Sequence, residues 1–394
     1  MINQPSFMHK ETRSLFPCVL MLSIMLTMSI ASIPKNNERE LHNEDEFPTS
    51  ARAQTTWSGV VELTDSYTID VSNELIITPC TLVKLPNEAR IFVEGRLSIE
   101  GDSTCPVVID RGNIGLNYGI QFNQSSYGRG SVIDNLSIDN SMYGVTVYGS
   151  NPVLNNITIN NPSRVGVDLF SGANPVISDL TVDQSGRGFT YGDWRYGIAL
   201  SVGAGSSPIV ERAVLTDTRI RGLNIWGDSG GVYRQITIDN ITAEGASAIS
   251  AGVWVEDSQP LITNISVDKS DYGILIRHID DGGYTRAVVR DCVVTNSMYR
   301  GIYIDKANHT NFTNYETAEF TNTVVKGTGG PYAKTSGIGF AAIEINATGV
   351  WFDNTTIEDS TTTGLRLYFV DALTTFRTLK IVNSGDPGQG AHEA

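Results

Sequence analysis

The stretch VIDNLSIDNSMYGVTV, Val132 to Val147, holds two short alternating segments separated by a polar turn and a glycine. It returns as VLNNITINNPSRVGVDL from Val153, VISDLTVDQSG from Val176, LITNISVDKSDYGILI from Leu261, VVRDCVVTNSMYRGIYI from Val288 and WFDNTTIEDSTTTGLRL from Trp351. One aliphatic column can be followed through every copy: Ile138, Ile159, Val182, Leu215, Ile238, Val267, Val294, Val325, Ile357 and Ile381. Its intervals run from 21 to 33 residues and average 27. That is too short for a propeller blade, and the leucine framework of leucine-rich repeats is missing. The segments alternate with period 2, which excludes helical repeats. A coil of three short strands and three turns fits the length, and insertions become loops on the flank of a solenoid. The expected fold is therefore all-β, a parallel β-helix of about ten coils.

Working outward from the column, the second segments carry paired aliphatics. These include Val145/Val147, Val167/Leu169, Leu223/Ile225, Ile274/Ile276 and Ile302/Ile304. Stacked at ~4.8 Å per coil, they form continuous ladders inside the solenoid. Two positions after the first-segment aliphatic, Asn140, Asn161, Asn240, Asn296 and Asn383 recur. Asparagine tolerates the left-handed turn conformation, and its amide can bond the Asn above and below, so an asparagine ladder is expected. Four N-x-[ST] sequons, at Asn135, Asn156, Asn264 and Asn354, share another column and arise from the repeat itself.

The composition agrees. Gly is high at 38, and Asp+Glu exceed Lys+Arg by 43 to 28, a formal charge of −15. Nucleic acid is excluded as a partner, because a polyanion is repelled and no basic stretch interrupts the balance.

Residues Leu15 to Ile33, LFPCVLMLSIMLTMSIASI, carry no charge. Lys10 and Arg13 precede them, and Ser29-Ile30-Ala31 supplies small residues at a cleavage position. Residues 1–31 thus read as a signal peptide or an uncleaved N-terminal membrane anchor. Both readings place the body outside the cytoplasm, secreted or at the cell surface, with membrane attachment through residues 15–33 under the second. Residues 32–56 are polar and acidic and read as a flexible spacer. Residues 57–394 are the β-helix. The chain stops at IVNSGDPGQGAHEA, partway through a coil and without an amphipathic cap. A truncated chain or an end covered by a partner is expected there. Cys80 and Cys105 lie 25 residues apart, close to one coil. They are candidates for a disulfide, the alternative being two small buried thiols.

The repeated N-x-[IT]-[TS]-[IV]-[DN]-x-S…G-[IV]-x-[IV] phrase resembles the parallel β-helix repeat of the pectin-lyase-like superfamily over roughly residues 57 to 383. The run LIITPCTLVKLPNEARIFVEGRLSIEG from Leu75 is similar to the opening coils of surface proteins of that group. The resemblance implies a right-handed β-helix. It leaves activity open, since the superfamily holds lyases, hydrolases, epimerases, adhesins and binding proteins. Of the polygalacturonase signatures only Asp280-Asp281 matches; Asn-Thr-Asp, Gly-His-Gly and Arg-Ile-Lys are absent, as is the Trp-x-Asp-His of pectate lyases.

Any function is expected on the outward positions of the second segments. Candidate ligand-binding residues are Tyr148, Asp168, Phe170, Asn224, Trp226, Trp254, Glu256, Tyr303, Arg366 and Tyr368. Rings offer faces to sugar CH groups, and the polar groups bond hydroxyls. Were the protein an enzyme, Asp305 and Glu344, diagonal on adjacent coils, would be the carboxylate pair of a glycoside hydrolase. Arg277 would be the base of a lyase. The competing reading is cross-strand pairing of Glu256, Arg277 and Asp305. No cofactor is expected. Histidine spacing gives no metal site, and Asp280-Asp281 is the one place where Ca²⁺ could be held, although Asp and Gly in a turn need no ligand. The longer turns Asp183–Tyr196 and Lys326–Gly339 could wall the stripe. The leading expectation is a non-catalytic exported protein binding a polysaccharide or another cell-surface component. A polysaccharide lyase or hydrolase and a structural stalk are the alternatives.

Overall fold

The computed structural model describes residues 52–111, 115–186, 197–243, 249–279, 285–305, 317–329, 341–361, 363–368, 370 and 374–385. The leader, most of the spacer, Asp280-Asp281, the greater part of both long turns and the last nine residues lie outside them. Among the described residues no helix is long and apolar enough to cross a membrane.

Among the described residues the strands form two sheets, one of 16 strands and one of 12. Every pairing of named strands is parallel, and each strand pairs with its counterpart one coil away. The aliphatic column is in register from Ile138 to Ile381. It is fully buried at most positions, and only Ile381 in the last coil is clearly exposed. Each fully buried Val, Leu or Ile contributes roughly 1.5–3 kcal/mol, so the stack rather than any single coil is the stable unit.

The coil has three faces but, in its regular part, two strands. The long strand Val132–Asp139 pairs through Val132–Asp134 with Arg96–Glu100 and through Leu136–Ile138 with Val107–Arg111. Two separate strands of the opening coils thus merge into one bent strand. The bend is Asn135, at φ 53°. The same position is left-handed in all ten long strands: Asn135, Asn156, Asp179, Arg212, Gln235, Asn264, Asp291, Asn322, Asn354 and Thr378. The sequon asparagines therefore sit at a bend that only a positive φ can make. Their amides stack as well: Asn156 Nδ2 donates to Asn135 Oδ1 at 2.5 Å and Asn354 Nδ2 to Asn322 Oδ1 at 2.9 Å.

The second left-handed column contains the expected asparagines, Asn140, Asn161, Asn240, Asn296 and Asn383. The ladder is mixed rather than purely asparagine. Asn161 Nδ2 donates to Asn140 Oδ1 at 3.2 Å, but Asn240 Nδ2 donates to Asp217 and Asn383 Nδ2 to Asp359 at 3.2 Å, both carboxylates standing in the left-handed column. A carboxylate accepts from the amide as well as a second amide does, so Asp substitutes freely.

The glycine of the second segment has a packing reason. A Cβ on Gly252 would lie 2.3 Å from Val267 Cγ1, and one on Gly273 would lie 2.2 Å from Val294 Cγ1. The β-branched column of the long strand presses onto the backbone of the short strand, and only glycine leaves room.

The first strand, Ala53–Trp57, pairs with Asn73–Ile77 and lies partly inside the stretch expected as spacer. Its first four side chains are exposed, while Trp57 is half-buried against the core and meets the Tyr67 ring edge-on at 4.8 Å. Cys80 and Cys105 are joined in a disulfide, with Cα atoms 4.9 Å apart. Cys292 is a free buried thiol, pushed up to about 12 by desolvation.

Candidate functional site

The short strands from Tyr143–Tyr148 to Thr363–Tyr368 line up their outward residues in columns parallel to the solenoid axis. The middle column runs Thr146, Asp168, Ser201, Asn224, Trp254, Leu275, Tyr303, Glu344 and Arg366. The edge column runs Tyr148, Phe170, Gly203, Trp226, Glu256, Arg277, Asp305, Asn346 and Tyr368. All thirteen candidate binding and catalytic residues fall on these two columns.

Alignment did not bring exposure. The middle column was expected to face solvent, yet Asn224, Trp254, Leu275 and Glu344 are buried. Neighbours in adjacent coils cover them. The Arg221 guanidinium lies 3.8 Å from the Trp254 ring centroid and that of Arg277 lies 5.1 Å from it. Trp254 and Leu275 form a small apolar cluster with Ala251, against which Tyr272 and Tyr303 pack. Burial lowers Arg221 to about 10, while its Nη1 donates to Asn224 Oδ1 at 2.6 Å.

The charged groups are tied to one another. Arg277 Nε lies 3.4 Å from Glu256 Oε2, which also accepts from Trp254 Nε1 at 3.1 Å. Of the expected three-residue ion pair, the Glu256–Arg277 half is formed by contact. Asp305 is in register with Arg277 and accepts from Asn346 Nδ2 at 3.0 Å. Glu344 Oε1 accepts from Arg300 Nη2 at 3.0 Å, and Oε2 lies 2.9 Å from Arg300 Nε and 3.6 Å from Arg366 Nη1 as ion-pair contacts without hydrogen-bond geometry. Arg300 also donates to the Tyr272 hydroxyl at 2.7 Å and lies 4.5 Å over the Tyr303 ring. Asp168 stands apart: it is partly buried, and desolvation raises its carboxyl to about 6 against an opposing hydrogen bond from Ser201. Exposed rings remain at Tyr148, Trp226 and Tyr368.

Sequence reasoning missed Arg221, Tyr272 and Arg300. They belong to a third column at the start of the short strands. Simple alternation would send that position inward. A Cβ on Gly144 would meet Ile159 at 2.6 Å, so Gly144 and Val145 both face the core. Alternation breaks at the glycine, and the residue before it returns to the outer face. The signal was present as an aromatic or Arg immediately before the glycine in Tyr143, Arg221, Tyr272 and Arg300.

Among the described residues no three His, Cys, Asp or Glu side chains converge as metal ligands.

Residues 97–264 match the model of the family described as "Right handed beta helix region". No curated protein matches the chain by sequence. Among solved structures, the alginate lyase from Paenibacillus sp. str. FPU-7 is 11% identical, with a TM-score of 0.41 over 79% of this chain and 99% of that one. The catalytic unit of the thermostable GH87 alpha-1,3-glucanase from Streptomyces thermodiastaticus strain HF3-3 is 13% identical, with a TM-score of 0.49 over 85% and 69%. The A-module of the mannuronan C-5 epimerase AlgE4 from Azotobacter vinelandii is 12% identical, with a TM-score of 0.45 over 83% and 87%. The stacked parallel strands and the match over residues 97–264 give this chain the right-handed parallel β-helix fold, the fold of the pectin-lyase-like superfamily that its repeat resembles.

Proposed function

We propose that the protein is an exported β-helix, secreted or held at the cell surface, that binds carbohydrate or another surface component without turning it over. The observation that carries the reading is the state of Glu344. A glycoside hydrolase needs a carboxyl free to exchange a proton with its substrate. Glu344 is buried; its Oε1 accepts from Arg300 Nη2, and its Oε2 is ion-paired with Arg300 and Arg366. Arg277 likewise is engaged by Glu256. Side chains so committed build a surface rather than perform chemistry on it. Export is supported by the uncharged run Leu15–Ile33 and by the Cys80–Cys105 disulfide, a bond typical of oxidising compartments.

One observation favours the enzymatic alternative, and it concerns a different residue. The Asp168 carboxyl, raised to about 6, is poised to give or take a proton near neutrality. The test is to incubate the full chain with neutral and acidic polysaccharides and to measure retention together with release of reducing or unsaturated ends. Retention without product is expected. Product release lost in Asp168→Asn, or in Asp305→Ala and Glu344→Ala, would overturn the binding reading.

A further inference from the structure

We propose that Tyr148, Phe170 and Trp226 form a stacking platform for a neutral oligosaccharide whose chain runs parallel to the solenoid axis. This deepens the binding reading above and rests on it.

Four successive coils supply the platform along the edge column: Tyr148, Phe170, Gly203 and Trp226. Tyr148 and Trp226 are 39% and 36% exposed, against 4% for Trp254 in the middle column. Phe170 is partly exposed and meets Tyr148 edge-on, with centroids 5.0 Å apart. Glycine occupies the position between Phe170 and Trp226 for a visible reason. A Cβ on Gly203 would lie 2.3 Å from Trp226 Cε2 and 2.5 Å from its Nε1. The indole therefore lies across the backbone of the coil beside it instead of standing off the sheet. From Tyr148 to Trp226 the rings span three coil steps, ~14 Å.

Polar pairs close the platform at both ends. Asn123 follows Phe122, the partner of Val147 in the strand that ends at Tyr148, and donates through Nδ2 to Glu94. Glu256 is in register above Trp226, and its contacts with Trp254 and Arg277 both fall on Oε2. Rings bounded by amide and carboxylate groups match the chemistry of a sugar chain, with CH faces to stack and hydroxyls to donate.

Charge selects the class. Glu94, Asp168 and Glu256 flank the rings, and the one guanidinium on the edge column, Arg277, is paired with Glu256. The whole chain carries −15. A polyuronate would meet these carboxylates without an uncommitted cation on this column, whereas a neutral chain meets only hydrogen-bond acceptors.

The experiment measures binding of the full chain, by tryptophan fluorescence and calorimetry, to cello-, malto-, laminari- and mannohexaose and to polygalacturonate. At least one neutral hexaose is expected to bind. Trp226→Ala should weaken it about tenfold or more, and Trp226→Phe should restore most of the loss. Gly203→Ala keeps every ring but displaces the indole, and should weaken binding several-fold. Melting curves check that Trp226→Ala, at an exposed position, remains folded. Neutral binding that survives Trp226→Ala and Gly203→Ala but is lost in Tyr303→Ala overturns the platform and leaves the binding reading standing. Binding of polygalacturonate alone overturns the neutral class. Binding of no glycan overturns both.

Discussion

Arg300 and Glu344 join strands one coil apart through a hydrogen bond, Nη2 to Oε1 at 3.0 Å, and an ion-pair contact of Nε with Oε2 at 2.9 Å. The carboxylate side chain is 5% exposed and the guanidinium 14%. An ion pair this buried is costly to break, because the survivor keeps its charge without its partner. Arg300→Ala is therefore expected to destabilise the fold by roughly 3 kcal/mol. The double variant Arg300→Met/Glu344→Leu should recover much of that loss. Urea midpoints of the three proteins check this, and a double variant no more stable than Arg300→Ala would contradict it.

Asp168 predicts a pH dependence. Desolvation raises its folded carboxyl from 3.8 to about 6, whereas the unfolded chain keeps the ordinary value. Below pH 4 the group is protonated in both states and costs nothing. Between pH 4 and 6 the folded state holds the proton that the unfolded state has lost, so the contribution of Asp168 to stability falls as pH rises through this window. Asp168→Asn should remove that part of the decline and raise the melting temperature at pH 7. Parallel melting curves of wild type and variant from pH 4 to 7.5 measure it.

Gly252→Ala tests the contact between long and short strands. The added methyl meets Val267 Cγ1 at 2.3 Å and the Gly273 carbonyl oxygen at 2.8 Å. Neither can move without disturbing its own ladder. A loss of about 1–3 kcal/mol is expected from overpacking. The compensating double variant Gly252→Ala/Val267→Ala should regain part of it in thermal denaturation.

Thr378 is the β-branched member of the first left-handed column, at φ 57°. All nine of its counterparts are Asn, Asp, Gln or Arg, unbranched at Cβ, and one of them, Asn354, lies directly beneath it. Thr378→Asn should stabilise the last described coil by up to about 1 kcal/mol, by relieving αL strain and extending the amide stack. Hydrogen exchange of Thr375–Val382 reads the effect locally.

Reduction should weaken the opening coils. The Cys80–Cys105 bond closes a separation of 25 residues. The chain-entropy model assigns such a loop about 3.5 kcal/mol. Melting curves with and without reductant, compared with a Cys80→Ser/Cys105→Ser variant, check it.

Reading Ile138, Val145 and Asn140 along the chain was enough to determine the inside of this protein. Whether a residue faces the core of a solenoid follows from local alternation and from a turn geometry that only certain residues tolerate. Both are written in a single coil and repeated in the next. The outer face obeys no such local rule. Trp226 and Trp254 occupy adjacent coils, yet one is exposed and the other lies under the guanidinium of Arg221. Asp305 and Glu344 looked equivalent in sequence, but Glu344 is clamped by an Arg whose column was invisible until Gly144 and its counterparts were seen to break the alternation. Exposure on that face depends on side chains 20 to 45 residues away, brought alongside only when the coils stack, and so the tertiary structure alone decided which rings remain open to a ligand.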